Sequence, residues 1–191
     1  IVNIIKLNES NIEKLLSDTE KMLKEGGVAI VPTDTVYGLV CDGLNEKAKD
    51  RIFEIKGRSE NKPLIGFVDS IGKVKQFAEI LPENISLLEK SWPGAVTVVL
   101  KAKTNLYRIT SGEGKTAFRI PGHKFLLMLI KRFDMLASTS ANISGGKTPS
   151  RIEDIPDIVK EKADIVIDGG VLPGNPSEIW DITGKAHIQL R

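Results

Sequence analysis

Apolar residues at Ile12, Leu15, Leu16, Met22 and Leu23, with Thr19 among them, recur on one face of a 3.6-residue repeat and predict an amphipathic helix. Ser10 and Glu13 stand three apart at its start, so a capping box is expected there, with Gly26 and Gly27 as the stop. Val28-Ala29-Ile30-Val31 is a continuous apolar run too short for a helix. It reads as a buried strand that Pro32 closes, because proline brings no donor to the ladder. Ala48, Ile52 and Ile55 line one face of a second helix, which Gly57 is expected to end in the left-handed conformation just after Lys56.

Further strands are predicted over residues 64–68, 95–100, 116–120, 136–138, 165–167, 179–182 and 187–190, and helical segments near 74–78, 85–88 and 125–132. The two kinds alternate irregularly, without strict βαβ repeats. That order favours a single α/β domain over residues 1–191, with a mixed, twisted sheet flanked by helices.

A chain of 191 residues is long enough for one sizeable core and short for two ordinary domains. Lys and Arg number 27 against 25 Asp and Glu, so the net charge of +2 disfavours coating of nucleic acid as the main task, and any RNA contact has to come from a local patch. The single cysteine, Cys41, excludes an internal disulfide framework and a multi-cysteine zinc site, and its apolar neighbours make a buried, inert thiol the expectation. His123 and His187 make no metal-ligand spacing with an acidic pair. No apolar run approaches membrane-spanning length and residues 1–7 lack the parts of a signal peptide, so a cytoplasmic location without membrane contact is expected.

Two runs carry candidate chemistry. Lys56-Gly57-Arg58 puts cations at a helix end, where they complement the helix dipole or reach a phosphate from a loop leading into the next strand. Ser138-Thr139-Ser140-Ala141-Asn142 with Gly145-Gly146 suits either an anion-wrapping loop or a turn bonded to its own backbone. Gly114-Lys115-Thr116 and Gly146-Lys147-Thr148 end like P-loops, but Ile109 and Ala141 occupy the required earlier glycine position and neither run leads into a helix. A Walker-type site is excluded. Arg119 lies within an apolar strand, placed either to face solvent or to clamp a carboxylate.

In this order, Pro32-Thr33-Asp34-Thr35-Val36-Tyr37-Gly38-Leu39, Lys56-Gly57-Arg58 and Ser140-Ala141-Asn142 resemble the YrdC/TsaC family of threonylcarbamoyl-AMP synthases, over residues 26–191 and in the compact single-domain form. The resemblance implies condensation of L-threonine, bicarbonate and ATP into threonylcarbamoyl-AMP and pyrophosphate. It implies Mg²⁺ with the ATP, direct or indirect contact with tRNA, and downstream threonylcarbamoyl transferase proteins. Carried over by position, it implies Lys56, Arg58, Ser140 and Asn142 as catalytic, and Thr35, Arg119 and Ser177 as threonine ligands. It implies Lys56, Arg58, Lys62, Ser140, Asn142, Ser150 and Arg191 as ATP ligands, joined by Lys115 or Thr116. Ser59 after Arg58, Phe67 in place of a histidine, and Glu178 after Ser177 depart from the family pattern.

A non-catalytic module for double-stranded RNA or tRNA is the main rival, disfavoured by the near-neutral charge and an aromatic content of 5%. A carbamoyl-transfer domain like that of hydrogenase maturation proteins is another, and those chains are large and cysteine-rich.

Overall fold

The computed structural model describes residues 2–57 and 62–191. In chain order its strands and helices are β1 (Ile4–Lys6), α1 (Ile12–Lys24), β2 (Ala29–Val31), β3 (Gly38–Asp42), α2 (Glu46–Lys56), β4 (Ile65–Phe67), α3 (Ile71–Phe77), β5 (Ala78–Glu79) and α4 (Ile85–Ser91). There follow β6 (Val96–Ala102), β7 (Lys115–Arg119), α5 (Lys124–Ile130), β8 (Leu136–Ser140), α6 (Asp157–Lys162), β9 (Ile165–Asp168), β10 (Glu178–Asp181) and β11 (Ile188–Gln189). The strands form one sheet in the order β1-β9-β2-β3-β8-β4-β7-β6-β10-β11, with β5 paired to β6. Pairs β1/β9, β2/β9, β4/β7 and β6/β10 are parallel and the others antiparallel, which is the mixed sheet expected.

Local chemistry explains where most elements start and stop. At α2 the Asn45 side chain accepts from the Ala48 amide at 3.0 Å, and Gly57 closes the helix with φ 57°, a conformation that costs glycine little. Helix α1 buries Leu15, Leu16, Thr19 and Leu23, the predicted face. Its capping box does not form. Asn8 Oδ1 takes the Ser10 hydroxyl at 2.6 Å and the Ser10 and Asn11 amides at 3.0 and 3.1 Å, so Ser10 is committed to a side-chain turn and the helix begins two residues later.

Period-two alternation sorts the sheet into two faces. Ala29, Val31, Val40, Leu136, Ile165 and Ile167 pack in one cluster with α1 and α5. Ile30, Leu39, Cys41, Val98, Leu100, Phe118 and Ala137 pack on the other side with residues of α2, α3, α4 and α6. On the α1/α5 side the cluster ends at Phe67 of β4, and the same face of β7, β6 and β10 turns instead to a cavity. Helices are thus shared unevenly between the faces, and the uncovered half of one face becomes the site.

Cys41 is fully buried and its thiol is pushed up to about 12 by desolvation, as an inert core cysteine requires. Lys115 opens a strand and Pro149 follows Thr148 in a loop, so neither P-loop-like run leads into a helix.

Candidate functional site

The cavity has a volume of about 430 Å³, and its described lining comes from all three sequence runs together with β6, β7 and the chain end. Among the described residues, four cations border it, Lys56, Lys62, Arg119 and Arg191, and its described lining holds no carboxylate. Such a lining suits an anion.

One wall is built around Lys56. Although it is the last residue of α2, its side chain does not reach into solvent to cap the helix; the residue is only 3% exposed. Its ammonium donates to the Ser140 carbonyl and to Asn142 Oδ1, both at 2.8 Å. Ser140 Oγ donates to the same Asn142 oxygen at 2.6 Å, and Asn142 Nδ2 donates to the Gly146 carbonyl at 2.6 Å. The amide of Ser144 closes back onto the Lys56 carbonyl at 3.1 Å. Residues 140–146 therefore wrap the helix end, with Ser140, Asn142, Ser144 and Gly145 lining the cavity. Serine and asparagine are here because they bond a cation and their own loop together. Ser140 is the last residue of β8 rather than the start of a loop, since its backbone pairs with Gly38. Arg58 lies outside the described residues. Lys62 lines the cavity with its side chain exposed.

The opposite wall is built around Arg119, which is 4% exposed. Its Nε donates to the Gly94 carbonyl at 2.9 Å, Nη1 to the Thr35 hydroxyl at 3.2 Å, and Nη2 to Asp34 Oδ1. Burial pulls the guanidinium below its ordinary value, and Asp34 opposes that pull. An unpaired arginine would not be tolerated so deep. Thr33 orders this run: its hydroxyl donates to the Val36 carbonyl at 2.7 Å and accepts from the Thr35 amide at 3.0 Å. Ser177, buried beside them, shares a 2.8 Å hydroxyl contact with Thr97. Arg191 donates from Nε to the Ser177 carbonyl at 3.0 Å and from Nη2 to Ser177 Oγ at 3.3 Å. The strand expected over 187–190 is what returns it, through pairing of β11 with β10.

Three predicted residues do not line the cavity. Thr116 is out of phase with Ala117 and Arg119 on β7 and points into the other face, where its buried hydroxyl has no hydrogen-bond partner among the described residues. Lys115 shares the cavity's face of β7 but is drawn to Asp181 at 2.8 Å, the carboxylate that also raises its pKa. Ser150 stands behind the cavity, its carbonyl accepting from Leu172 at 2.9 Å. In the other direction, Thr97 lines the cavity without having been predicted, Ser138 lines it as part of the hydroxyl run though not named as a ligand, and Asp34 holds Arg119 from behind. Ser138 stands two residues before Ser140 on the same strand, so the period alone points it to the same face. The departure at Glu178 does not reach the cavity. Its carboxylate accepts from Trp180 Nε1 at 2.8 Å on the opposite face.

A family model for Sua5/YciO/YrdC, described as telomere recombination, matches residues 21–191. The chain belongs to this family. Among Sua5/YciO/YrdC relatives, it is 35% identical to the threonylcarbamoyl-AMP synthase of Pyrococcus abyssi over 98% of its own length and 56% of that protein's. To the threonylcarbamoyl-AMP synthase of Bacillus subtilis it is 33% identical, over 81% of this chain and 46% of the relative. A crystal structure of Pyrococcus abyssi Sua5 complexed with L-threonine superposes with a TM-score of 0.88 at 33% identity, covering 100% of this chain and 57% of that one. The chain spans about half the length of these family members.

Proposed function

We propose that this chain catalyses formation of threonylcarbamoyl-AMP from L-threonine, bicarbonate and ATP. The observation that carries the reading is a single cavity with two different cationic walls. The Arg119 wall, with Thr35 and Ser177, is suited to an amino-acid carboxylate, and the Lys56-Ser140-Asn142 wall, with Lys62, to a polyphosphate. The threonine complex of the Sua5 relative and the names of the curated relatives lend it support.

In this reading the threonine amine first takes up bicarbonate as a carbamate with loss of water. A carbamate oxygen then attacks the α-phosphorus of ATP, the bond from that phosphorus to the bridging oxygen breaks, and pyrophosphate leaves with the electron pair. The residues align the two reactants and offset the negative charge, which fits a described lining whose polar side chains are cations, hydroxyls and one amide. Asn142 and Ser140 hold the Lys56 ammonium on the polyphosphate side. Asp34, behind Arg119, keeps that guanidinium charged and oriented. Arg58, carried by the same run as Lys56, and Arg191 complete the ATP ligands, and Arg191 rests on Ser177. Mg²⁺ is proposed to arrive with the triphosphate and would be held there largely by phosphate oxygens and water; the described residues bring no three His, Cys, Asp or Glu side chains together. The product would pass to proteins that transfer the threonylcarbamoyl group to tRNA.

The test is pyrophosphate release from ATP with L-threonine and bicarbonate supplied together and singly. Release that requires both is expected; release from ATP alone, or with either one omitted, overturns the reading.

A further inference from the structure

Tyr37 is fully buried, lines no part of the cavity, and yet bonds to the loops on both of its sides. Its backbone amide donates to the Pro149 carbonyl at 2.9 Å and its carbonyl accepts from the Ala141 amide at 2.9 Å, which ties it to the segment that begins with Ser140 and Asn142. Its side chain runs the other way. The hydroxyl donates to the Gly170 carbonyl at 2.6 Å and accepts from the Gly169 amide at 3.0 Å, with Asp168 Oδ1 at 3.4 Å beside it. Asp168 Oδ1 in turn accepts from the Gly170 amide at 2.8 Å, so the turn after β9 is held by one phenol and one carboxylate.

From that turn the chain crosses to Ser177 with two further ties, Leu172 to the Ser150 carbonyl at 2.9 Å and Gly174 to the Thr35 carbonyl at 2.8 Å. It has no helix or strand of its own before β10. Ser177, which Thr97 also holds, therefore takes its place in part from where residues 169 and 170 are pinned. Gly170 has φ 80° and its absent side chain would meet nothing, so no packing contact at that residue shares the work with the phenol. Desolvation raises the phenol to about 12, and it remains a donor throughout the physiological range.

We propose that the Tyr37 hydroxyl is a positioning group for the amino-acid wall of the cavity: it sets the strap of residues 169–177 and through it Ser177, leaving the Lys56 wall to the backbone of the same residue. The assignment of that wall to L-threonine rests on the proposed function. The placement of the strap does not.

Tyr37→Phe removes the hydroxyl and keeps both backbone bonds. Amide hydrogen exchange of the ligand-free protein is expected to speed up at Leu172 and Gly174 by about tenfold, the scale of one buried hydrogen bond, with Ala141 unchanged. Titration with L-threonine is expected to show about tenfold weaker binding, and titration with ATP a change within about twofold. Unchanged exchange at Leu172 and Gly174 overturns the proposal. So does equal weakening toward both ligands, which a general loss of structure produces, and so does threonine affinity that stays put in a protein that binds threonine. If the unsubstituted protein binds no threonine, the functional reading fails, and the exchange result alone decides whether the phenol sets the strap. Gly170→Ala strains the same turn from the solvent side and serves as a second variant if Tyr37→Phe does not fold; it is expected to give the same exchange pattern, and its failure to do so counts against the strap.

Discussion

Arg119 and Phe67 are register partners on neighbouring parallel strands, with the guanidinium carbon 5.8 Å from the centre of the phenyl ring. The ring gives the guanidinium an apolar floor that takes none of its N–H groups, while Gly94, Thr35 and Asp34 hold it by the edge. Arginine is thereby presented to the cavity in one orientation, with N–H groups left over for a ligand. Asp34→Asn keeps the shape and removes the opposing charge. Stability is expected to fall by about 1–3 kcal/mol, as when a charged hydrogen bond is lost from a partly buried site. The Michaelis constant for threonine is expected to rise with that for ATP little changed, which chemical denaturation and steady-state kinetics will check.

Lys56→Ala is expected to abolish most activity, by a factor of about 100 or more, as loss of one preorganised charge donor commonly does. Because the ammonium is buried and holds Ser140 and Asn142, a stability loss of about 1–3 kcal/mol accompanies it, larger than for a surface lysine at a helix end. Lys56→Met, which keeps the stem, separates packing from charge. If its activity survives, the cation serves the fold alone.

Arg191→Ala tests the chain end without disturbing the backbone bond from the Ile179 amide to the Arg191 carbonyl. The apparent ATP requirement is expected to rise about tenfold, with the ligand-free melting temperature nearly unchanged, since both side-chain bonds go to one residue at a half-exposed position. An unchanged ATP requirement would assign Arg191 to Ser177 instead.

His123 is half-buried, its Nδ1 has no hydrogen-bond partner among the described residues, and desolvation lowers its pKa below the ordinary 6.5 although Asp34 pulls the other way. Folding thus favours the neutral ring. The unfolded chain binds the proton more readily, so His123 contributes stability that is present above about pH 6.5 and is lost as pH falls through the depressed value. Melting temperatures measured across this range should decline less steeply for His123→Phe than for the unsubstituted protein.

Cys41 should resist a thiol reagent in the native protein and react promptly on unfolding, because its sulfur is buried and its thiolate scarce. Fast native labelling, read by absorbance, would contradict the packing of β3.

Much of this was legible along the chain because strand and helix periods and end signals are local. Gly57, Pro32 and the apolar faces of α1 and α2 needed no tertiary information. The three motif runs were visible as chemistry, and the fold joins them. What escaped has a physical cause in each case. Strand β1, three residues long, exists through its pairing with β9, and β3 is placed between the nearby β2 and the distant β8. Thr116 was open to correction from the sequence itself, since a strand that turns Arg119 inward turns Thr116 outward. The capture of Lys115 by Asp181 and of Arg119 by Asp34 depended on which strands and loops meet, and composition carries no trace of that.

The Lys62 and Arg191 cations share the cavity with Lys56 and Arg119 in a chain that has nearly as many acids as bases, and the acids have been kept off its described lining. Such a cleft stores repulsion when empty. Any anion it admits binds the folded chain and has nothing comparable to hold in the unfolded one, so the fold's own equilibrium reads out occupancy: a ligand at about 100 times its dissociation constant adds about 2.7 kcal/mol. On the proposed reading, the stability of this protein follows the phosphate compounds around it, and its resistance to unfolding rises and falls with the supply of what it binds.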